Sequence, residues 1–509
     1  MPTITSDGFG ADRVMDLGAR GVSAVKWSAA TTAGRFILQL IGQVLLARAL
    51  GPEIYGVFGI GLLVFTFSNF LATFGFAFAL LQIDDLRGDD VRFAFTWELV
   101  SGTIAGVGLY CLAPLVASYF HDPRVLPVVR WLSLACVVNA ASGPSYTLLL
   151  RRMDFRATGL VDVAGYAVGY IAVGIPLAFL GAGVYSLVAA WLVQSGVRLI
   201  ACLLLRPISW RPLFWYDRAH VAVSTGSTIF VTNLTNWFAN NVDGLMIGRL
   251  LNARALGLYN VGYNLANAPN TMMMKTLWPT FFSACARMQH DVPRMRRAYL
   301  EVVSTVWVLV VPGFAFLALV APDLVRFLYG REWNAAGGIL SVLLLAMPFY
   351  VTLSVSTPVL WNTGRKKYEF LLSVPLLAIG VVAFYHFAPK GVQAAALVAG
   401  ALIASRGLAA GVLSFRAVKL RVTDFLPHLI RGVVLCMVAT GGGVVGRHMV
   451  AAVDRPLVSL VAACSGALLL VGGVLRARPA LLGDHAATTV VRFAPKLRGF
   501  LKAPDRHAV

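Results

Sequence analysis

The chain has 509 residues, of which 58% are apolar and only 13% charged, with a mean hydropathy of +0.75. An average soluble domain carries roughly 25% charged residues, so this composition excludes a soluble globular protein and indicates a polytopic membrane protein. The formal net charge of +20 would suit a nucleic-acid binder, but the Lys and Arg fall in short connections between apolar runs, as the positive-inside rule requires, and no nucleic-acid partner is implied.

Residues 1–22 are polar and of mixed charge, without the short apolar core and small-residue cleavage site of a signal peptide, and read as a cytoplasmic N-terminal segment. Fourteen candidate spans follow, near 23–47, 55–81, 93–118, 125–150, 159–180, 183–205, 220–248, 256–283, 298–321, 336–361, 368–388, 391–415, 425–446 and 456–475. A lipid-exposed backbone must satisfy its own hydrogen bonds, and the runs lack the alternation of a barrel, so the fold class is all-α with about 14 transmembrane helices. Prolines inside the spans (Pro114, Pro176, Pro269, Pro312, Pro348, Pro375) mark kinks. The six cysteines are scattered through apolar segments with no paired spacing, and read as small membrane-compatible residues. With the N-terminus inside, the inner segments hold about 28 Lys and Arg and the outer loops about 10, which places both termini in the cytoplasm. The polar tail 477–509, with Arg492, Lys496, Arg498, Lys502 and Arg506, reads as a retention signal and a surface for anionic headgroups of membrane lipids.

One joint is repeated. Arg48 to Gly61 reads R-A-L-G-P-E-I-Y-G-V-F-G-I-G, and 201 positions on, Arg249 to Gly262 reads R-L-L-N-A-R-A-L-G-L-Y-N-V-G. Arg48 matches Arg249, Leu50 matches Leu251, Gly56 matches Gly257 and Gly61 matches Gly262, each time at the turn between two apolar helices. Six spans separate the copies, an even number, so the repeat is parallel, with its pseudo-twofold axis along the membrane normal. This divides the chain into two pseudo-symmetric six-helix lobes, 23–205 and 220–415, around a central cavity and joined by a cytoplasmic loop 206–219. Spans 13 and 14 (416–476) form an appendage.

Ionisable residues left inside spans are Arg35, Glu98, Asp162, Arg198, Asp243, Lys275, Arg406 and Arg431. Each costs about 2.5 kcal/mol or more at a helix centre, so each needs a polar cavity or a partner unless it lies close enough to a span end to snorkel, as Asp162, Arg198 and Arg431 do. Ser28, Thr31, Arg35, Gln39 and Gln43 form one polar stripe along span 1. Asn260, Asn264, Asn267, Thr271 and Lys275 form another on span 8, and Asn233, Asn236, Asn240 and Asp243 a third on span 7. Helix-to-helix hydrogen bonding explains a single buried amide; three stripes on helices of both lobes point to a water-filled cavity between the lobes. Arg35 lies about 12 residues, roughly 18 Å, from the cytoplasmic start of span 1, and Lys275 about 8 residues from the inner end of span 8. Neither has an acidic neighbour one turn away, so both read as unpaired cations suited to a phosphate, with amides for sugar hydroxyls. Glu98 and Asp243 are the acids that would pair with them or couple transport to an ion.

The chain has no P-loop, no Ser/His/Asp or metal-ligand cluster and no sign of a cofactor, so it reads as a non-enzyme. Leu46 to Gly56 (L-A-R-A-L-G-P-E-I-Y-G), Asp243 to Tyr263 (D-G-L-M-I-G-R-L-L-N-A-R-A-L-G-L-Y-N-V-G-Y) and Leu328 to Trp333 (L-Y-G-R-E-W) resemble the polysaccharide-exporter and Wzx-type flippases. These belong to the multidrug/oligosaccharidyl-lipid/polysaccharide transporter superfamily. The resemblance, over about residues 20–420, implies two six-helix lobes around a V-shaped cavity in a bacterial inner membrane. It also implies movement of an undecaprenyl-pyrophosphate-linked oligosaccharide to the periplasmic leaflet by alternating access, alongside glycosyltransferases and a polysaccharide polymerase. Arg35 and Lys275 would suit the cationic role in that cavity, with Gln39, Gln43, Asn236, Asn240, Asn264 and Asn267 around them. The motif residues themselves mark joints and are assigned no substrate contact. The alternatives are a cation-coupled multidrug exporter, which needs an acidic cavity, a lipid II flippase, and a membrane glycosyl-transfer enzyme, which needs a larger outer loop than this chain has.

Overall fold

The computed structural model describes residues 17–73, 75–83, 85–152, 154–217, 219, 237–238, 240–450, 453, 455–483 and 486–487. These are helical almost throughout and form two compact units, Met1–Gly257 and Leu258–Val509. Among the described residues ten helices are long and apolar enough to cross a membrane.

In the first unit, α1 (Leu17–Thr73) carries the first two predicted spans as two limbs. The joint between them contracts to one residue, Gly51, with φ 75° and ψ 171°. Glycine takes this positive φ without a Cβ clash, and Pro52 then opens the second limb, where its missing N–H is no loss. The matching joint is built differently. Residues 240–250 are helical (α7), and α8 (Ala253–Arg287) starts after Asn252, whose Oδ1 accepts from the Ala255 amide at 2.8 Å. Asn252 stands 201 positions after Gly51, so one break is made by Gly-Pro and its counterpart by an Asn cap, a device worth about 1 kcal/mol.

The predicted span 55–81 is not continuous. The helix stops at Thr73, and a short helix, α2 (Phe76–Gln82), restarts after Gly75, which sits at φ 83°. The next helices are α3 (Gly88–Phe120), α4 (Val125–Arg151), α5 (Phe155–Phe179, with a π turn at Ala167–Gly174) and α6 (Val184–Leu205). Most of predicted span 7 lies outside the described residues.

The second unit contains α9 (Val292–Tyr329), α10 (Asn334–Asn362), α11 (Lys366–Phe387), α12 (Val392–Ala417), α13 (Val422–Met449) and α14 (Pro456–Ala477). The most buried helices of the two units occupy corresponding places. The most apolar stretches of α4 and of the Arg331–Asn362 segment are each 56% buried, against 11% for α14. The paired glycines of the repeat make the same fit. A Cβ on Gly61 would lie 2.6 Å from Val128 of α4, and one on Gly262 3.0 Å from Ile339 of α10. Small residues also seat α13 on α14: a Cβ on Gly446 would come within 2.1 Å of the Ala462 carbonyl oxygen, and one on Gly466 within 2.3 Å of that of Gly442.

Candidate functional site

In the first unit the polar stripe of α1 lies along α5. Gly159 brings the backbone of α5 against Thr31, where a Cβ would meet Thr31 Oγ1 at 2.4 Å. One turn on, Arg35 Nη1 donates to Asp162 Oδ2 at 2.7 Å. A further turn on, the Tyr166 hydroxyl donates to the Gln39 carbonyl at 3.3 Å, and Gly42 leaves the space that this ring fills. Positions 31, 35 and 39 thus meet 159, 162 and 166, the step of three or four that lets two helices contact along one face. The Gln43 carbonyl accepts from the Tyr55 hydroxyl at 3.3 Å, across the Gly51 break. The side chains of Gln39 and Gln43 are half-buried.

Arg35 is therefore not an unpaired cation, as its sequence neighbourhood suggests; its acid comes from a helix 127 positions away. Behind it a second cation is held. Asp162 Oδ2 also accepts from the Tyr146 hydroxyl at 3.4 Å, and the Arg198 guanidinium lies 4.0 Å over the Tyr146 ring. Arg198 Nε is buried without a hydrogen-bond partner among the described residues. Four helices, α1, α4, α5 and α6, thus converge on two guanidinium groups and one carboxylate, a local charge of +1. The Arg35 side chain stays 37% exposed while Asp162 is 18% exposed, so the cation is the accessible partner. Asp162 and Arg198 lie close enough to their span ends to pass as headgroup-level charges, which hid their role in the sequence. Only the α1–α5 contact reveals it.

Glu98 has a different partner from the cations proposed for it. It is fully buried on α3, and its Oε1 accepts from the Ala77 amide at 2.8 Å. Three residues on, Ser101 Oγ donates to the Ala72 carbonyl as well as to the Trp97 carbonyl at 2.7 Å. The break at Gly75 frees a carbonyl on one side and an amide on the other, and Ser101 and Glu98 take one each. A carboxyl at the start of α2 also meets the positive end of that helix. Its other oxygen, Oε2, is buried without a partner among the described residues, in space left by the bare Cα of Gly143.

Asp243 accepts from the Gly244 amide at 2.9 Å, and Asn240 is exposed. Asn236 lies outside the described residues. In the second unit Asn264 is exposed and Asn267 half-buried on α8. Asn267 Oδ1 accepts from Asn270 Nδ2 at 2.9 Å. Asn270 is 2% exposed, and its own Oδ1 is buried without a partner among the described residues. It adds a polar residue beside the predicted stripe, three positions beyond Asn267. Lys275 belongs to α8, and its side chain lies outside the described residues.

Comparison with known proteins gives matching results at three levels. A family model described as polysaccharide biosynthesis protein matches residues 45–338. The chain is 24% identical to the lipopolysaccharide biosynthesis protein WzxC of Escherichia coli (strain K12), over 72% of this chain and 76% of that protein. It is 25% identical to the succinoglycan biosynthesis transport protein ExoT of Rhizobium meliloti (strain 1021), over 67% and 69%. It is 23% identical to the teichuronic acid biosynthesis protein TuaB of Bacillus subtilis (strain 168), over 69% and 72%. Among solved structures, the lipid II flippase MurJ in an inward closed conformation superposes with a TM-score of 0.70 at 14% identity, covering 89% of this chain and 99% of that one. An inward-facing multidrug resistance MATE family transporter of the MOP superfamily gives 0.55 at 14% identity, covering 77% and 95%. At such identities the structural likeness shows a shared fold alone.

Proposed function

The chain belongs to the polysaccharide biosynthesis protein family, and we propose that it moves a lipid-linked oligosaccharide, anchored by undecaprenyl pyrophosphate, from the inner to the outer leaflet of a bacterial inner membrane. It is a multi-pass membrane transporter of polysaccharide biosynthesis rather than an enzyme. In this reading both termini are cytoplasmic, and residues 23–205 and 220–415 are the lobes that alternate around the substrate.

The observation that carries the reading is the accessible guanidinium of Arg35, held on one nitrogen by Asp162. A guanidinium has five N–H donors in a rigid fork. One engaged with Asp162 leaves the others for the paired oxygens of a phosphate, a bidentate geometry that Lys does not reproduce. Asp162 offsets the cost of an Arg among apolar helices while no substrate is bound. It also holds the fork in one place, which reduces the entropy lost on binding. Arg198 behind Tyr146 keeps the cluster net positive after Asp162 is counted, and this favours an anion over the cationic drugs of a multidrug exporter. Lys275 and the amides of Asn264 and Asn267 on α8 are proposed as further substrate-binding residues, the amides taking sugar hydroxyls. Glu98 is held by α2, so its part is to position that helix rather than to bind substrate. Export of an anion runs downhill with the cell interior negative, by about 2.3 kcal/mol per charge per 100 mV.

The test is deletion of the gene in its host. Lipid-linked oligosaccharide should accumulate on the inner leaflet, protected from reagents outside the membrane, while surface polysaccharide is lost. Normal surface display with no accumulation would reject the proposal.

A further inference from the structure

The segment that leaves α6, expected from the sequence to be a loop, is over residues 206–217 an extended strap laid across the first turns of α3. Pro207 and Pro212 keep it out of a helix and bring no N–H that would need a partner. Polar side chains of α3 take up its backbone. Arg92 Nε donates to the Arg211 carbonyl at 3.2 Å, the Leu213 amide donates to Thr96 Oγ1 at 2.9 Å, and Trp97 Nε1 donates to the Phe214 carbonyl at 2.9 Å. The Tyr216 hydroxyl donates to Asp90, and Ser145 Oγ of α4 donates to the Arg206 carbonyl at 3.1 Å. Ile208, Leu213 and Tyr216 join the apolar cluster formed by α2 and the start of α3.

The other large side chains of the strap are left outside. Trp210 is 63% exposed, Phe214 57% and Trp215 68%. Trp210 stands edge-on to Phe95 at 5.4 Å between ring centroids, and Phe214 edge-on to Trp97 at 6.3 Å. These contacts fix two of the three rings on α3 without covering them.

Helix lengths set the depth of the strap. The 22 residues of α6 span about 33 Å, enough for a hydrocarbon core of about 30 Å, so the strap begins where that helix leaves the core. The 33 residues of α3 span about 50 Å, which leaves roughly 10 Å beyond the core at each end. Arg92 and Trp97 lie about 6 and 14 Å from the start of α3, across that boundary. Backbone outside a helix at such a depth needs protein partners for its polar groups, and the α3 side chains provide them.

We infer that the strap is a membrane-interface anchor, with Trp210, Phe214 and Trp215 seated among the lipid headgroups and the first acyl carbons. Aromatic rings with an apolar body and a polar edge favour this layer. The exposed surface continues directly from lipid-facing α6, where Ile200, Leu204 and Leu205 are exposed, which makes lipid the occupant. Arg206 and Arg211, between and before the rings in sequence, come at the level of the phosphates. The inference rests on the chain being a membrane protein and not on what it carries.

The experiment uses the full chain, labelled throughout with fluorotryptophan and reconstituted in nanodiscs of phosphatidylcholine and phosphatidylglycerol. Trp210→Phe and Trp215→Phe assign the two fluorine NMR signals by their disappearance; should either not fold, Trp210→Tyr and Trp215→Tyr give the same assignment. A lipid carrying a nitroxide near the glycerol end of its acyl chain should broaden both signals severalfold more than a water-soluble gadolinium chelate does. A stronger effect of the chelate on either signal would overturn the anchor in favour of a water-facing strap. Protection of either signal from both probes would overturn it in favour of cover by protein.

Discussion

Gly56 and Gly257 are packed reciprocally. A Cβ on Gly56 would lie 1.6 Å from the carbonyl oxygen of Ala253, and a Cβ on Gly257 would lie 2.0 Å from that of Pro52. Pro52 and Ala253 are themselves 201 positions apart, as are the two glycines. Each joint of the repeat thus presses its bare Cα onto the first turn of the other, which is what a local twofold relation between the joints produces. Around this crossing Glu53 accepts from Arg124 at 2.7 Å, Arg124 also pairs with Asp122 at 2.9 Å, and Arg249 contacts His121 and lies 5.1 Å over the Tyr119 ring. The repeated spelling of the joint therefore reflects a backbone approach rather than a ligand.

Gly56→Val and Gly257→Val should each disrupt the crossing, since any side chain at these positions meets backbone that cannot turn aside. Each should cost toward the upper end of about 1–3 kcal/mol typical of overpacking. The two effects should fall short of additive, because the first clash already opens the crossing that the second would strain. Thermal unfolding of the purified single and double variants, followed by fluorescence-detected gel filtration, measures this. Full additivity would mean that the glycines act at separate contacts.

Glu98 should behave as a helix cap. Glu98→Gln retains an oxygen for the Ala77 amide and should preserve both folding and transport. Glu98→Ala leaves that buried amide unpaired and should destabilise the protein by about 1–3 kcal/mol. Transport lost in a stably folded Glu98→Gln protein would instead assign the carboxyl a proton-coupling role.

Tyr146 contacts Asp162 through its hydroxyl and Arg198 through its ring. Tyr146→Phe keeps the ring under Arg198 and gives up only the long 3.4 Å bond, so its thermal stability should stay close to that of the wild type. Tyr146→Ala removes the ring as well and should lose a further ~0.5–2 kcal/mol of cation–π stabilisation. Equal losses in the two variants would show that the hydroxyl, not the ring, holds the cluster.

The sequence was most legible where the signal is local. Apolar run length marks the helices, and the chain of steps of three or four picks out the α1 stripe. The repeated joint locates Gly56 and Gly257. Periodicity carries no information about which helix a stripe meets, so the Arg35–Asp162 pair, joined across 127 positions, stayed hidden, and Arg35 read as unpaired. Depth along a span is all that the sequence offers for Asp162 and Arg198, and it places both near span ends. Glycine is common inside membrane helices, so the Gly75 break is visible only through the side chains of Glu98 and Ser101 that satisfy it.

The Arg35 cluster is proposed to take the phosphate of a lipid-linked substrate. Transfer of a labelled undecaprenyl-pyrophosphate oligosaccharide across reconstituted proteoliposomes tests it most directly. Arg35→Leu/Asp162→Leu removes both charges of the ion pair together, so neither is left without the other; the protein should insert and fold while its transfer rate falls about ten- to a hundredfold, the loss of one charge-assisted phosphate contact. Asp162→Asn, which keeps the guanidinium, should retain most of the activity, and Lys275→Ala should be impaired. Wild-type transfer by the Arg35→Leu/Asp162→Leu protein would contradict the account.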